Sequence, residues 1–211
     1  LRNIYRINWL ILYLFGASPI LMKSFLAEDT KIFKKLDKKT LYLPYATSLR
    51  MSNYGYQNSN RKKLEVSVNS IDEYISDLRN AANAAHPEFL KIQDTNTKLQ
   101  AQINKNVLQI DDEYYAVARA KSKIVSDEQT TSKLNKGGVD FIELRSLDLN
   151  PFSRVGIDRE TRDFIEVLLT DCFIRKGEYF TDDEIKTINH NDGLVATKGR
   201  YPKLELLKDG E

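Results

Sequence analysis

A chain of 211 residues is long enough for one sizeable core or two small ones. With 41% hydrophobic and 29% charged residues, and 32 basic against 30 acidic side chains, it has an ordinary globular composition and no overall field to draw it toward nucleic acid or a membrane surface. Its single cysteine, Cys172, excludes an intrachain disulfide.

The chain opens at Leu1, without methionine, directly on LRNIYRINWLILYLFG. It is therefore expected to be part of a longer chain. Ile4, Ile7, Leu10, Ile11 and Leu14 recur at helical spacing and predict a buried amphipathic helix over 1–15, with Gly16 as its C-terminal cap. The uncharged stretch inside it is too short to span a bilayer. Ser18-Pro19 predicts an N-cap and a first helical position, starting a short second helix through Leu26. Residues 31–39 are lysine-rich and predict a solvated loop.

The aromatic-rich run LYLPYATSLRMSNYGYQ, residues 41–57, predicts extended chain broken near Pro44. Arg50 and Tyr56 lie on it with Gly55 between them. An arginine among tyrosines can hold a small carboxylate; the same pattern fits a surface loop with snorkelling side chains. LEVSV, residues 64–68, predicts a short strand. Ser70 predicts a helix cap, with Asp72 and Glu73 in the first turn and Ile71, Tyr74, Ile75 and Leu78 as its buried stripe. That helix is expected to end before His86-Pro87. His86, His190 and Cys172 share no metal-ligand spacing, so zinc is not expected.

Residues 103–115, INKNVLQIDDEYY, predict a strand with a carboxylate cluster. Arg119, Lys121 and Lys123 follow, either receiving phosphates or forming a solvated charge run. Residues 126–138 predict a flexible loop. In the run 137–152, GGVDFIELRSLDLNPF, Ile142 and Leu144 alternate with Phe141, Glu143 and Arg145, the period of a two-faced strand. Glu143 and Arg145 are then neighbours on one face. A carboxylate and a planar guanidinium together suit a metal-bound phosphate; they equally suit a structural ion pair. Asp158 predicts a cap for a helix through about Arg175, burying Phe164, Ile165, Leu168, Cys172 and Phe173, and a last helix is expected over 182–188. Cys172, with no histidine near it in sequence, reads as a buried structural thiol. There is no βαβ alternation and no glycine-rich phosphate loop, so the fold class is α+β, a mainly antiparallel sheet with packed helices.

Four ordered runs, RNIYRINW with YLFGASP, YLPYATSLRMSNYGY, QINKNVLQIDDEYYA and GGVDFIELRSLDLNPFSRVGID, together resemble the proteobacterial-type glutamate–cysteine ligase family. The tail TKGRYPKLEL is also similar to that family. The resemblance implies a glutamine synthetase-like catalytic fold whose curved antiparallel sheet forms a funnel, with residues 1–211 as a single segment of the catalytic domain. It implies a cytoplasmic enzyme joining L-glutamate to L-cysteine with ATP and Mg²⁺, the first step of glutathione synthesis, with no nucleic-acid or membrane partner. By motif position, Glu143 is implied as a Mg²⁺ ligand and Arg145 as the arginine facing the transferred phosphate. Arg50, Tyr56 and Tyr115 are implied on the cysteine side, and Arg119 near the nucleotide. Val117 and Ala120 stand where the family carries prolines, which leaves Lys121 and Lys123 without an assigned role. The family's upstream metal carboxylates have no counterpart here, so the remainder of the chain is expected to be needed for activity. A second reading is a non-catalytic binding module that keeps the ligase scaffold.

Overall fold

The structure, a computed structural model, describes residues 1–26, 31–55, 65–87, 89–91 and 103–208. The chain divides into two compact units, residues 1–57 with 144–211, and residues 58–143.

The first unit is built on its two end helices. Helix α1, Arg2–Phe15, ends at Gly16 as expected, and the Gly16 N–H donates to the Leu12 carbonyl. A Cβ on Gly16 would meet the Cβ of Thr47 at 2.6 Å, so only glycine lets the 46–48 backbone run this close to the helix end. Helices α4, Arg159–Ile174, and α5, Asp182–Lys198, both lie against α1. Asp158 caps α4 as expected, its carboxylate accepting from the Thr161 N–H. Thr181 caps α5 in the same way. The last helix runs ten residues beyond the expected end at Ile188, through Gly193. Packing overrides the weak helix propensity there, because Val195 and Ala196 form a core cluster with Leu12, flanked by Trp9, Met51, Leu204 and Leu206. On α4 the expected stripe is only partly right. Ile165 is buried, but Phe164 is 41% and Phe173 90% exposed. Cys172 is half-buried, and burial pushes its thiol pKa up, which suits a structural thiol and not a nucleophile.

Between α1 and α4 the expected second helix is absent. After Ser18-Pro19 the chain forms a strand, β1, Ile20–Met22, and then a 3₁₀ turn, Lys23–Phe25. The reason is cross-strand pairing: β1 and β2, Lys34–Lys35, flank β3, Thr40–Tyr42, in an antiparallel sheet with Leu21 opposite Leu41. The lysine-rich loop therefore contains an edge strand, where solvated lysines are at home. A second cluster, Leu43, Ala46 and Leu49 with Leu21, Phe33 and Tyr54, lies beside this sheet.

The second unit centres on α2, Ile71–Asn83. Ser70 caps it, its Oγ accepting from the Glu73 N–H. Tyr74, Ile75, Leu78 and Ala81 are buried, whereas Ile71, expected in the stripe, is 37% exposed. Residues 65–68 of the expected strand have no regular structure, and Leu64 lies outside the described residues. The expected strand over 103–115 is likewise absent. Its backbone is used to close the end of α2: the Val107 and Leu108 N–H groups donate to the Ala84 and Ala81 carbonyls. A 3₁₀ turn, Asp111–Glu113, follows. The segment expected as a loop holds helix α3, Thr130–Gly137. Buried Asp111 satisfies its first turn, accepting from the Thr131 N–H at 2.7 Å where a helix start has orphan donors, and Leu134 is buried. Strands β4, Ala118–Lys121, and β5, Phe141–Leu144, form a two-stranded sheet. No helix among the described residues is long and apolar enough to cross a membrane.

Candidate functional site

The residues singled out by the sequence fall into two groups, one in each unit. In the second unit Ala118 and Ala120 are fully buried along one face of β4, while Arg119 and Lys121 alternate onto the other. Arg119 is almost completely buried, and its guanidinium is directed at protein acceptors. Nε donates to Glu143 Oε2 at 3.2 Å. Nη1 donates to the carbonyls of Asp112, at 2.6 Å, and Tyr114, at 3.1 Å. Nη2 donates to Asp112 Oδ1 at 3.1 Å. One arginine therefore ties the 111–114 turn to the strand that carries Glu143. Tyr115, half-buried, lies one residue past a carbonyl that Arg119 holds.

Asp112 completes the group. It also accepts from Lys121 Nζ at 2.6 Å and Thr130 Oγ1 at 3.0 Å. Burial alone would raise its carboxyl pKa. The Lys121 and Thr130 hydrogen bonds and the nearby charges of Lys121 and Arg119 outweigh that and hold it below the usual range. Lys121 thus has a carboxylate partner, and exposed Lys123 uses its backbone N–H to reach Asp140 at 2.7 Å.

Arg119→Met is expected to destabilise the second unit by about 3 kcal/mol, because it takes the guanidinium donors from the buried Tyr114 carbonyl and the part-buried Asp112 carbonyl and the cation from between two carboxylates. The figure is at the low end for a broken buried pair, since the Asp112 and Glu143 side chains are 46% and 39% exposed and water can reach them. Arg119→Lys should recover little, as an ammonium cannot reproduce the fork. Chemical unfolding checks both; a loss under about 1 kcal/mol for either would show that the clamp does not hold the unit.

In the first unit Arg50 lies in the 3₁₀ turn Leu49–Met51. Its Nε donates to Asp148 Oδ1 at 2.7 Å and its Nη2 to the Leu147 carbonyl at 3.1 Å. Arg145 is half-buried and directly follows β5, whose last residue is Leu144. The expected strand thus stops one residue short of Arg145, and the carboxylate Glu143 is paired with Arg119. Tyr56 lies outside the described residues. Asp148 also borders a cleft of about 670 Å³, together with Phe15, Pro44, Asn150, Phe152 and Arg200.

Among the described residues no three His, Cys, Asp or Glu side chains converge on a metal position. A Mg²⁺ ion can be held through one or two protein carboxylates, with phosphate oxygens and water completing its shell. Half-exposed Glu143 meets that minimum.

A family model described as glutamate-cysteine ligase matches residues 1–195. The chain belongs to this family. Curated glutamate–cysteine ligases of Aliivibrio salmonicida and Pseudoalteromonas translucida are 44% and 42% identical to it over 98% of its length. The chain spans 40% of the length of these ligases. The crystal structure of the Francisella tularensis glutamate–cysteine ligase in complex with AMP matches it with a TM-score of 0.90 at 35% identity, over 99% of this chain and 42% of that one. A bifunctional glutathione synthetase of Pasteurella multocida shares the fold, with a TM-score of 0.60 at 21% identity over 93% of this chain and 20% of that one. The α+β class expected from the sequence is the ligase fold, and the ordered runs that carried the resemblance lie almost wholly within the matched span.

Proposed function

We propose that this chain forms part of an ATP-dependent ligase that joins the γ-carboxyl of L-glutamate to the amine of L-cysteine in the cytoplasm, with the rest of the ligase chain completing the site. The support is the family match over residues 1–195, strengthened by the likeness to a ligase crystallised with AMP. Hydroxide is a poor leaving group, so the carboxylate must first be activated. Its oxygen attacks the γ-phosphorus of ATP, ADP leaves, and an acyl phosphate forms. The cysteine nitrogen then attacks the acyl carbon, phosphate departs with the bonding pair, and the nitrogen gives up a proton. Most of the acceleration in such a sequence comes from placement and charge neutralisation.

The chain's own residues divide that work. Glu143 would hold a Mg²⁺ ion, which neutralises phosphate charge when bound. Arg145 would face the transferred phosphoryl group. Arg50, with Tyr56 and Tyr115, would shape the cysteine side. Arg119 would serve the nucleotide side by holding Glu143 in place, since its nitrogens are directed at protein acceptors. The test is made on the full-length protein that carries this chain. With Mg²⁺-ATP, ADP release should require glutamate and cysteine together, and mass spectrometry should find a product equal to their sum less water. Stabilisation by Mg²⁺-ATP without any turnover would point instead to a binding module on a ligase scaffold.

A further inference from the structure

We propose that Asp148 is a positioning residue for the cysteine side of the reaction: by fixing the guanidinium of Arg50 it sets where the carboxylate of the incoming amino acid is held. The inference rests on the reading of Arg50 given above. Asp148 stands in the SLD stretch after β5 and its side chain is 3% exposed. Donors from two other segments grip it. Its Oδ2 accepts from the Ala17 N–H at 2.9 Å and from Ser18 Oγ at 2.7 Å, both just beyond α1. Its Oδ1 accepts from Arg50 Nε. Burial would push the carboxyl pKa up, but hydrogen bonds from Ser18, Ala17, Arg50 and Ser48 outweigh that and hold it below the usual range, so the charge is kept.

Arg50 is held at two points by neighbouring residues, Nε on Asp148 and Nη2 on the Leu147 carbonyl. Two bonds to one short segment fix the plane of the guanidinium as well as its position. A free arginine carries substantial rotamer entropy, which an unanchored side chain would lose on meeting a substrate. Asp148 removes that loss beforehand. A carboxylate this tightly held by the end of α1 could serve the fold alone, so the discriminating readout is chemical. Cysteamine offers the same thiol and amine as cysteine without the carboxylate.

In the full-length ligase, Asp148→Asn is expected to lower kcat/KM for cysteine by about 10- to 100-fold, mainly through KM. The values for cysteamine, glutamate and ATP should move little, so the preference for cysteine over cysteamine collapses. An equal loss for both amines overturns the proposal and leaves Asp148 a structural residue. Where the amide variant does not accumulate, Asp148→Glu keeps the buried charge but shifts it by one methylene, and the same preference is read. Arg50→Gln separates the two levels. If it collapses the preference and Asp148→Asn does not, only the positioning role fails. If Arg50→Gln leaves the preference intact, the reading of Arg50 fails and the Asp148 proposal falls with it.

Discussion

Glu143→Gln is expected to lower turnover of the full-length ligase by about 100- to 1000-fold, the scale seen when one preorganised electrostatic contact to a reacting group is lost. The substitution is nearly isosteric. The amide oxygen can still accept from Arg119 Nε, now at 3.2 Å from Oε2, so the clamp on the 111–114 turn should survive. What disappears is the negative charge, the feature that suits a hard cation. The expected signature is therefore a large fall in kcat with a small change in unfolding free energy. Arg119→Met should do the reverse in emphasis, costing stability first and activity through the displaced carboxylate. Unchanged turnover for Glu143→Gln would remove the metal role, and a large loss of stability would show that the charge serves the fold.

This contrast bears on what the sequence could disclose. The alternation around Glu143 and Arg145 was legible because it is local. Ser70 and Asp158 were legible as caps for the same reason: a cap binds an N–H three residues on. The partners that decide the chemistry were not local. Arg119 reaches Glu143 across 24 positions and Arg50 reaches Asp148 across 98, and no periodicity encodes such separations. One signal was available. Extending the alternation of Ile142 and Leu144 by two steps lands on Ser146 and Asp148, both buried. Polar residues continuing an apolar face announce a buried polar network. The misread elements share a different cause. Residues 20–22 and the 189–198 extension of the last helix took their structure from distant packing, Leu21 opposite Leu41 and Val195 against Leu12. Local propensity loses to such contacts.

The buried contact between α1 and α5 is expected to make the first unit lose stability as pH rises from about 4 to about 7. Asn8 Nδ2 donates to Asp192 Oδ2 at 2.7 Å, while Asn8 Oδ1 and Asp192 Oδ1 are both sealed from solvent without a hydrogen-bond partner. Two acceptors and no second donor is an unsatisfied arrangement; a proton on the carboxyl supplies the missing donor. Burial accordingly pushes Asp192 up to about 7, with the Asn8 amide pulling partly the other way. The nearby Arg6 and Glu184 bond each other. A carboxyl whose folded pKa lies above its unfolded value favours the fold when protonated. Its contribution is therefore intact below about pH 4, declines between about 4 and 7, and is fully lost above that range, a total of about 4 kcal/mol for a shift of about three units. Asp192→Asn removes the titration, and should be more stable than the parent by about 2–4 kcal/mol at pH 8 and close to it near pH 4. The single tryptophan, Trp9, packs against the Leu12, Val195 and Ala196 cluster, so its fluorescence during urea unfolding reports the loss of packing between these two helices. Parallel stability profiles for the two proteins from pH 4 to 8 would mean that the carboxyl is already charged in the folded state, and that the orphaned oxygens of Asn8 and Asp192 are satisfied by water.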